Sequence, residues 1–220
     1  MSIVVHNDLA SCFGPPRDQG ARPTCLAFAT SDCHAAVRGS QDPLSCEWLY
    51  HRAQARCGRS HAEGATLPGI LAALRLDGQP VEAGWPYLSV VGERWEPPAG
   101  SPQLFKREGA PAGADVGTVR RSLDRGRPIM MLMALSRSFF TPGSDGAVRP
   151  TPEEVPDPSI RHAVVASGHG LVDGRPAIRV RNSWGAGWGL DGSAWLTDDF
   201  IAPRLFATAE LLGEIDVSSD

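Results

Sequence analysis

The stretch RDQGARPTCLAFATSDCHAAV, Arg17–Val37, decides how the rest of the chain is read. Cys25, Ala29, Cys33 and Ala36 recur at helical spacing, and Leu26 and Phe28 carry the apolar surface nearly round the first two turns. A helix of that kind belongs at the centre of a fold. Thr24 stands where an N-cap belongs, which makes Cys25 the first helical residue. A thiol there feels the positive end of the helix dipole and lies beside unpaired backbone N–H groups. Both favour the thiolate, the nucleophilic form. The same N–H groups can hold a developing oxyanion, and Gln19 upstream can add a side-chain amide donor.

The bulk properties narrow the rest. At 220 residues the chain holds one domain or two lobes sharing a core. Hydrophobic residues at 42% and charged residues at 21% are ordinary for a globular protein. A net charge of -4 with no long run of either sign argues against a nucleic-acid or membrane partner. The start, MSIVVHNDLASC, lacks the basic region of a secretory signal, and no apolar run approaches the ~18 residues of a membrane span. The expected location is cytoplasmic. Lys106 is the one lysine among 21 basic residues. With abundant Ala, Gly and Pro, that bias reads as a GC-rich bacterial genome. All five cysteines lie in the first 57 residues without a CxxC pair, so neither a metal nor another cofactor is expected.

The first half reads helical. After Arg17–Val37 come LSCEWLYHRAQARC, started by Ser45, and LPGILAALRLDG, started by Pro68 and ended by Gly78. Between Gly92 and Gly117 a Pro/Gly/Ala-rich stretch reads as an extended crossover. After a short helix at TVRRSLDRG, the second half reads as strands: PIMMLMAL, RHAVVASGH, AIRVRNSW and GSAWLTDDF. A helical half followed by a stranded half predicts an α+β fold, one domain over 1–220. Its helical lobe covers about 1–108, its β lobe 109–220, and the active site lies in the cleft between them.

A thiol nucleophile needs a base and an orienter for it. His162 and Asn182 stand 137 and 157 residues beyond Cys25. His34, His51 and His61 have no polar orienter nearby in sequence. His169 is the closer rival, but it is an odd number of residues from His162 and faces the other way on one strand. The Asp173-Gly174 pair signals a two-residue hairpin turn. Strict pairing about it sets Asn182 opposite Val165, roughly 10 Å along the strand from His162. A wider loop or one or two bulges are therefore expected, with Gly168 and Gly170 as permissive sites and Pro176 interrupting the ladder.

Together, RDQG and TCLAFA, HAV and GHG, and RNSWGAGWG resemble the papain-like cysteine peptidases of the C1 family, clan CA, from about Arg17 to Leu196. The resemblance implies the papain-like two-lobed fold, a helical N-terminal lobe facing an antiparallel β lobe. It also implies a catalytic set: Cys25 as nucleophile, His162 as base, Asn182 as its orienter and Gln19 as oxyanion donor. Trp184 would shield the His–Asn contact, and Trp188 would line the leaving-group side. Gly64 and Ala65 would pair with an extended substrate, and the main side-chain pocket would draw on the MMLMAL strand and Arg161.

The chain departs from the secreted members around the nucleophile. Arg22 replaces a disulfide cysteine, Pro23 a glycine, Thr24 a serine and Leu26 a tryptophan. Losing the disulfide fits a reducing compartment, and all thiols are expected to be free. An intact helix would hold Cys46 and Cys57 about 16 Å apart, too far to bridge. Pro23 removes an N–H close to the expected oxyanion hole. With 24 residues ahead of Cys25 there is no room for an inhibitory prosegment, so a regulatory protein partner is one expected means of restraint. The leading expectation is an intracellular thiol peptidase acting on peptide or protein substrates through a thioacyl intermediate. Alternatives are a transpeptidase using the same site and a pseudoprotease that only binds peptides.

Overall fold

The computed structural model describes residues 2–100 and 102–215; Met1, Ser101 and 216–220 lie outside the described residues. In chain order the elements are β1 (Ile3–Asp8), α1 (Cys25–Val37), α2 (Cys46–Cys57), α3 (Leu67–Leu76), β2 (Lys106–Ala112), α4 (Val116–Asp124), β3 (Ile129–Leu135), α5 (Arg137–Phe140), β4 (Ala147–Val148), β5 (Asp157–Val172), β6 (Arg175–Arg181), β7 (Ser193–Thr197), α6 (Asp198–Ile201) and β8 (Leu205–Ile215).

Local chemistry sets the helix ends. Ser45 caps α2 by accepting from Trp48 N, and Gly58 closes it in the left-handed region at φ 62°. Thr66, two residues ahead of the expected start at Pro68, caps α3 by accepting from Gly69 N, with Pro68 in the first turn. Asp115 caps α4 through Thr118 N.

The strands form one sheet in the order β2-β8-β3-β5-β6-β7-β4, with β1 also paired to β5. The sheet divides the apolar interior in two. On β3 and β5, Met131, Met133, Val164 and Ala166 face α4 to α6, while Met130, Ala163 and Val165 face α1 to α3. That alternation is the period of two expected for strands buried on both faces. The helix-first, strands-second reading therefore holds for the layout.

Four strands lay outside it, the two-residue β4 among them. β1 runs antiparallel to β5 over 168–172, so a segment read with the helical lobe belongs to the sheet. The Gly92–Gly117 crossover contains β2, which pairs with β8 at the sheet's end. Pro111 is tolerated there because an edge strand can spare an N–H. β8 itself carries alternating inward residues, Ala209 and Leu211, under a composition rich in Leu, Ala and Glu.

The β5–β6 hairpin resolves the register question. Asp173 and Gly174 both have positive φ, 50° and 76°, which is the two-residue type I′ turn. From Val172↔Arg175 to Gly168↔Arg179 the pairing is strict, and a single bulge at Ser167 then shifts it to Ala166↔Val180. One bulge, not a wide loop, is the answer. Pro176 does not interrupt the ladder: it pairs opposite Leu171, and β7 joins β6 only from Ala177. Gly168 and Gly170 are needed for another reason. A Cβ there would meet Asn7 O at 2.6 Å and Val4 O at 2.1 Å, so their bareness admits β1.

All five cysteines are free, and α2 runs unbroken from Cys46 to Cys57.

Candidate active site

The N-terminus of α1, the middle of β5 and the segment after β6 converge on a cleft of about 670 Å³ between the helices and the sheet. Gln19, Cys25, His162, Trp184, Gly64 and Ala65 all line it. Cys25 is the first residue of α1, as its sequence position predicts. Thr24 occupies the N-cap, but its side chain makes no capping bond. Its hydroxyl instead meets Tyr87 Oη at 2.9 Å, and Tyr87 Oη donates to Gln19 O at 2.7 Å. The residue is in the expected place with a different task.

β6 ends at Arg181, and Asn182 leaves the ladder with its N–H donating to Gly192 O. This departure, added to the bulge at Ser167, brings its side chain back to His162. His162 Nε2 donates to Asn182 Oδ1 at 2.6 Å. The imidazole's other nitrogen, Nδ1, is thereby left as the acceptor in the neutral ring. Trp184 packs on that ring with centroids 4.7 Å apart, and Phe139 adds a second aromatic wall at 5.7 Å. These rings exclude water from the His–Asn bond.

Burial dominates the titration of both reactive groups. It pushes the Cys25 thiol up, against the backbone N–H groups of Ala163, Leu26 and Cys25 itself. Burial also brings His162 down to about 4, against the stabilising bond to Asn182. The surroundings thus favour the neutral form of each group. A thiolate–imidazolium pair draws its stability from the attraction between the two charges, with the N–H groups assisting the sulfur.

Gln19 is fixed from three sides. Its Nε2 donates to Arg22 O at 2.8 Å, its Oε1 accepts from Ser183 Oγ at 2.6 Å, and its backbone N–H donates to Ser183 O at 2.8 Å. One Nε2 hydrogen remains for an oxyanion in the cleft. Arg22 is anchored in turn. Its guanidinium makes two bonds to the fully buried Glu47, at 2.6 and 2.9 Å, and Glu47 also accepts from Trp95 Nε1 and Leu88 N. Tyr50 and Tyr87 lie 5.5 and 5.0 Å from the guanidinium. Arg22, which the resemblance sets in place of a disulfide cysteine, makes a buried, hydrogen-bonded ion pair.

One expectation fails. Trp188 does not line the cleft: it is buried in the β-lobe core, tilted against Phe139 and donating from Nε1 to Phe139 O. A ring whose N–H is already used inside the core has no edge to offer a substrate. His169, the rival base, bonds Asp124 on α4 at 2.7 Å and lies apart from the cleft residues. Glu47, Tyr87, Ser183 and Phe139 were not singled out from sequence. Ser183 lies inside the quoted RNSW, but Glu47 has no local signature beyond being an acid on an otherwise apolar helix face.

Residues 104–200 match the family model described as papain family cysteine protease. A cysteine proteinase of Entamoeba histolytica is 53% identical over 34 residues, 16% of this chain and 11% of that protein. One from Solanum lycopersicum is 52% identical over 33 residues, 15% of this chain and 9% of that protein. The matched stretches are thus about a tenth of these relatives' length. Among solved structures, xylellain, a cysteine protease from Xylella fastidiosa, superposes with a TM-score of 0.76 at 21% identity, covering 96% of this chain and 86% of that one. The digestive procathepsin L 3 of Tenebrio molitor gives 0.77 at 18% identity, covering 96% and 71%. The likeness to both is one of fold.

Proposed function

We propose that the chain is a papain-like cysteine peptidase that hydrolyses peptide bonds through Cys25, on the match of residues 104–200 to the papain family model and on the papain-like fold. The observation that carries the reading is the His162 Nε2–Asn182 Oδ1 bond at 2.6 Å, in the cleft that Cys25 and Gln19 also line. Cys25 Sγ attacks the scissile carbonyl carbon and passes its proton to His162 Nδ1. The carbonyl oxygen, now an oxyanion, accepts from the Cys25 backbone N–H and from Gln19 Nε2. As the C–N bond breaks, the amine leaves with the proton from His162, and a thioester to Cys25 remains. Water, deprotonated by His162, attacks that thioester and returns the free thiol. Asn182 holds the ring in one tautomer throughout.

The same reading extends to a reducing, intracellular setting. Its support is the set of five free thiols and the Arg22–Glu47 pair in place of a cross-link. Among the described residues no helix is long and apolar enough to cross a membrane.

The test is a mixture of fluorogenic peptides together with mass spectrometry of the quenched enzyme. Cleavage is expected, with a transient acyl adduct on Cys25, and Cys25→Ala is expected to lose both. Cleavage that survives Cys25→Ala would refute the mechanism.

A further inference from the structure

The cleft has a charge bias that its catalytic groups do not explain, and we infer from it that the preferred substrate carries an acidic side chain, glutamate above aspartate, on the acyl side of the scissile bond. The inference rests on the peptidase reading and names its substrate class.

Among the described residues no acid lines the cleft, whereas Arg22, Arg59 and Arg161 all do. Two of the three are already neutralised. Arg22 is bound to Glu47 at 2.6 Å and Arg59 pairs with Glu63 at 3.3 Å. Arg161 has no carboxylate partner among the described residues. Its Nε donates to Pro158 O, and both terminal nitrogens stay unengaged. Asp157, an acid on the same strand, is occupied by Ser159 N and Ser159 Oγ.

The surroundings of Arg161 form a recess with an apolar floor. Ala207, Leu132 and Ala163 lie in one row across β8, β3 and β5. Arg161 is two residues from Ala163 on β5, opposite Ala134 on β3, so it projects on the same face one row along. The two alanines leave space on either side of Leu132, and the Arg161 guanidinium sits 5.5 Å from the Phe206 ring, which also borders the cleft. A side chain entering here meets methyl and aromatic surface first and a free guanidinium fork last. Glutamate matches that order, with two methylenes for the floor and a planar carboxylate for bidentate pairing. Aspartate is one methylene short, and lysine meets like charge.

The test uses peptide pairs differing only as Glu versus Gln and Glu versus Lys at each of four positions on the acyl side. Matching peptidyl chloromethyl ketones, which alkylate Cys25 without any cleavage, carry the same pairs. At one position Glu is expected to exceed Gln roughly tenfold in kcat/KM and in Cys25 labelling rate. Arg161→Glu is expected to invert the order, favouring Lys over Glu. Equal labelling by the Glu and Gln ketones at every position, or a Glu preference that survives Arg161→Glu, would overturn the inference. If no peptide is cut yet the Glu ketone labels faster in an Arg161-dependent way, the peptidase reading fails and the acidic recognition stands.

Discussion

Glu47 is an acid with no solvent exposure, and its two oxygens receive four donors from Arg22, Trp95 and Leu88. Such a pair holds shape because breaking either half strands a charge in a dry interior. Glu47→Gln keeps the volume and removes the charge. It is expected to cost about 3–5 kcal/mol and to lower Tm by roughly 10 °C, read by scanning calorimetry. Because the Arg22 carbonyl holds Gln19, peptide cleavage by the folded variant should fall while alkylation of Cys25 changes little, since an alkyl halide develops no oxyanion. A second prediction concerns the reactive pair. Burial raises the Cys25 thiol, so without its proton acceptor the sulfur should be almost wholly protonated at pH 6. His162→Ala is expected to slow iodoacetamide labelling there by about 10²-fold or more. In the intact enzyme the acid limb of activity is expected near pH 4, where His162 takes up a proton from solvent and ceases to be a base. Cys25, His162, Asn182 and Gln19 were picked out because their motifs resemble those of one family, and the fold sets Gln19, Cys25 and His162 along one cleft with His162 bonded to Asn182. Glu47 was not picked out, because its meaning depends on Arg22, Leu88 and Trp95, which only the fold brings to it.

Among the elements, α1, α2 and α3 announced themselves through apolar periodicity and end residues, while β1, β2 and β8 did not. β1 keeps Val4 and Val5 about half exposed, which blurs its alternation. β2 holds Gly109, Pro111 and two alanines, all poor strand formers that survive because β8 supplies the partner. Trp188 misled for a related reason, since a tryptophan spaced like a cleft residue looks the same in sequence as one folded into a core. The role of Gly170 also emerged only from the fold, where Val4 O would lie 2.1 Å from an added Cβ. Contact that close to backbone carbonyl requires β1 or β5 to move. Gly170→Ala is therefore expected to destabilise the protein by about 2–4 kcal/mol. Amide exchange should accelerate at Val4, Val5 and Leu171, with little change at Met131 or Val164, deeper in the sheet. Uniform acceleration across the sheet would mean that β1 is not a separable strand. A bulge or wider loop, by contrast, was deducible before the fold was known, because no regular ladder can join His162 to Asn182; its place at Ser167, not at Gly168 or Gly170, was not.

At the scale of the whole molecule, the order of helices before strands was enough to anticipate two packed layers with a cleft between them. The crossing of β1 to the sheet was not, since it pairs residues 3–8 with 168–172, segments that lie far apart in the sequence. This architecture buries histidines in both layers, His162 beside the cleft and His34 inside α1, and that sets how the fold responds to acid. His34 has no solvent exposure; its Nδ1 meets Gln79 Oε1 at 3.1 Å, and its Nε2 has no partner among the described residues. Burial lowers its pKa to about 4 despite the Gln79 bond, and Arg107 and Arg38 push the same way. Both histidines thus bind a proton less readily folded, at about 4, than unfolded, at about 6.5. Between those values the unfolded chain holds more protons, so stability is complete above pH 6.5 and declines as pH falls toward 4. Each histidine contributes roughly 3 kcal/mol to that decline, so together they remove about 6 kcal/mol, a large share of a typical domain's 5–15. Urea midpoints measured at pH 7, 5.5 and 4 should fall steeply across the series. His34→Gln, which keeps a donor for Gln79 but cannot titrate, should abolish about half of the fall. A midpoint that stays level from pH 7 to 4, or a His34→Gln variant as acid-sensitive as the parent, would show that the folded protein takes up these protons as readily as the unfolded chain.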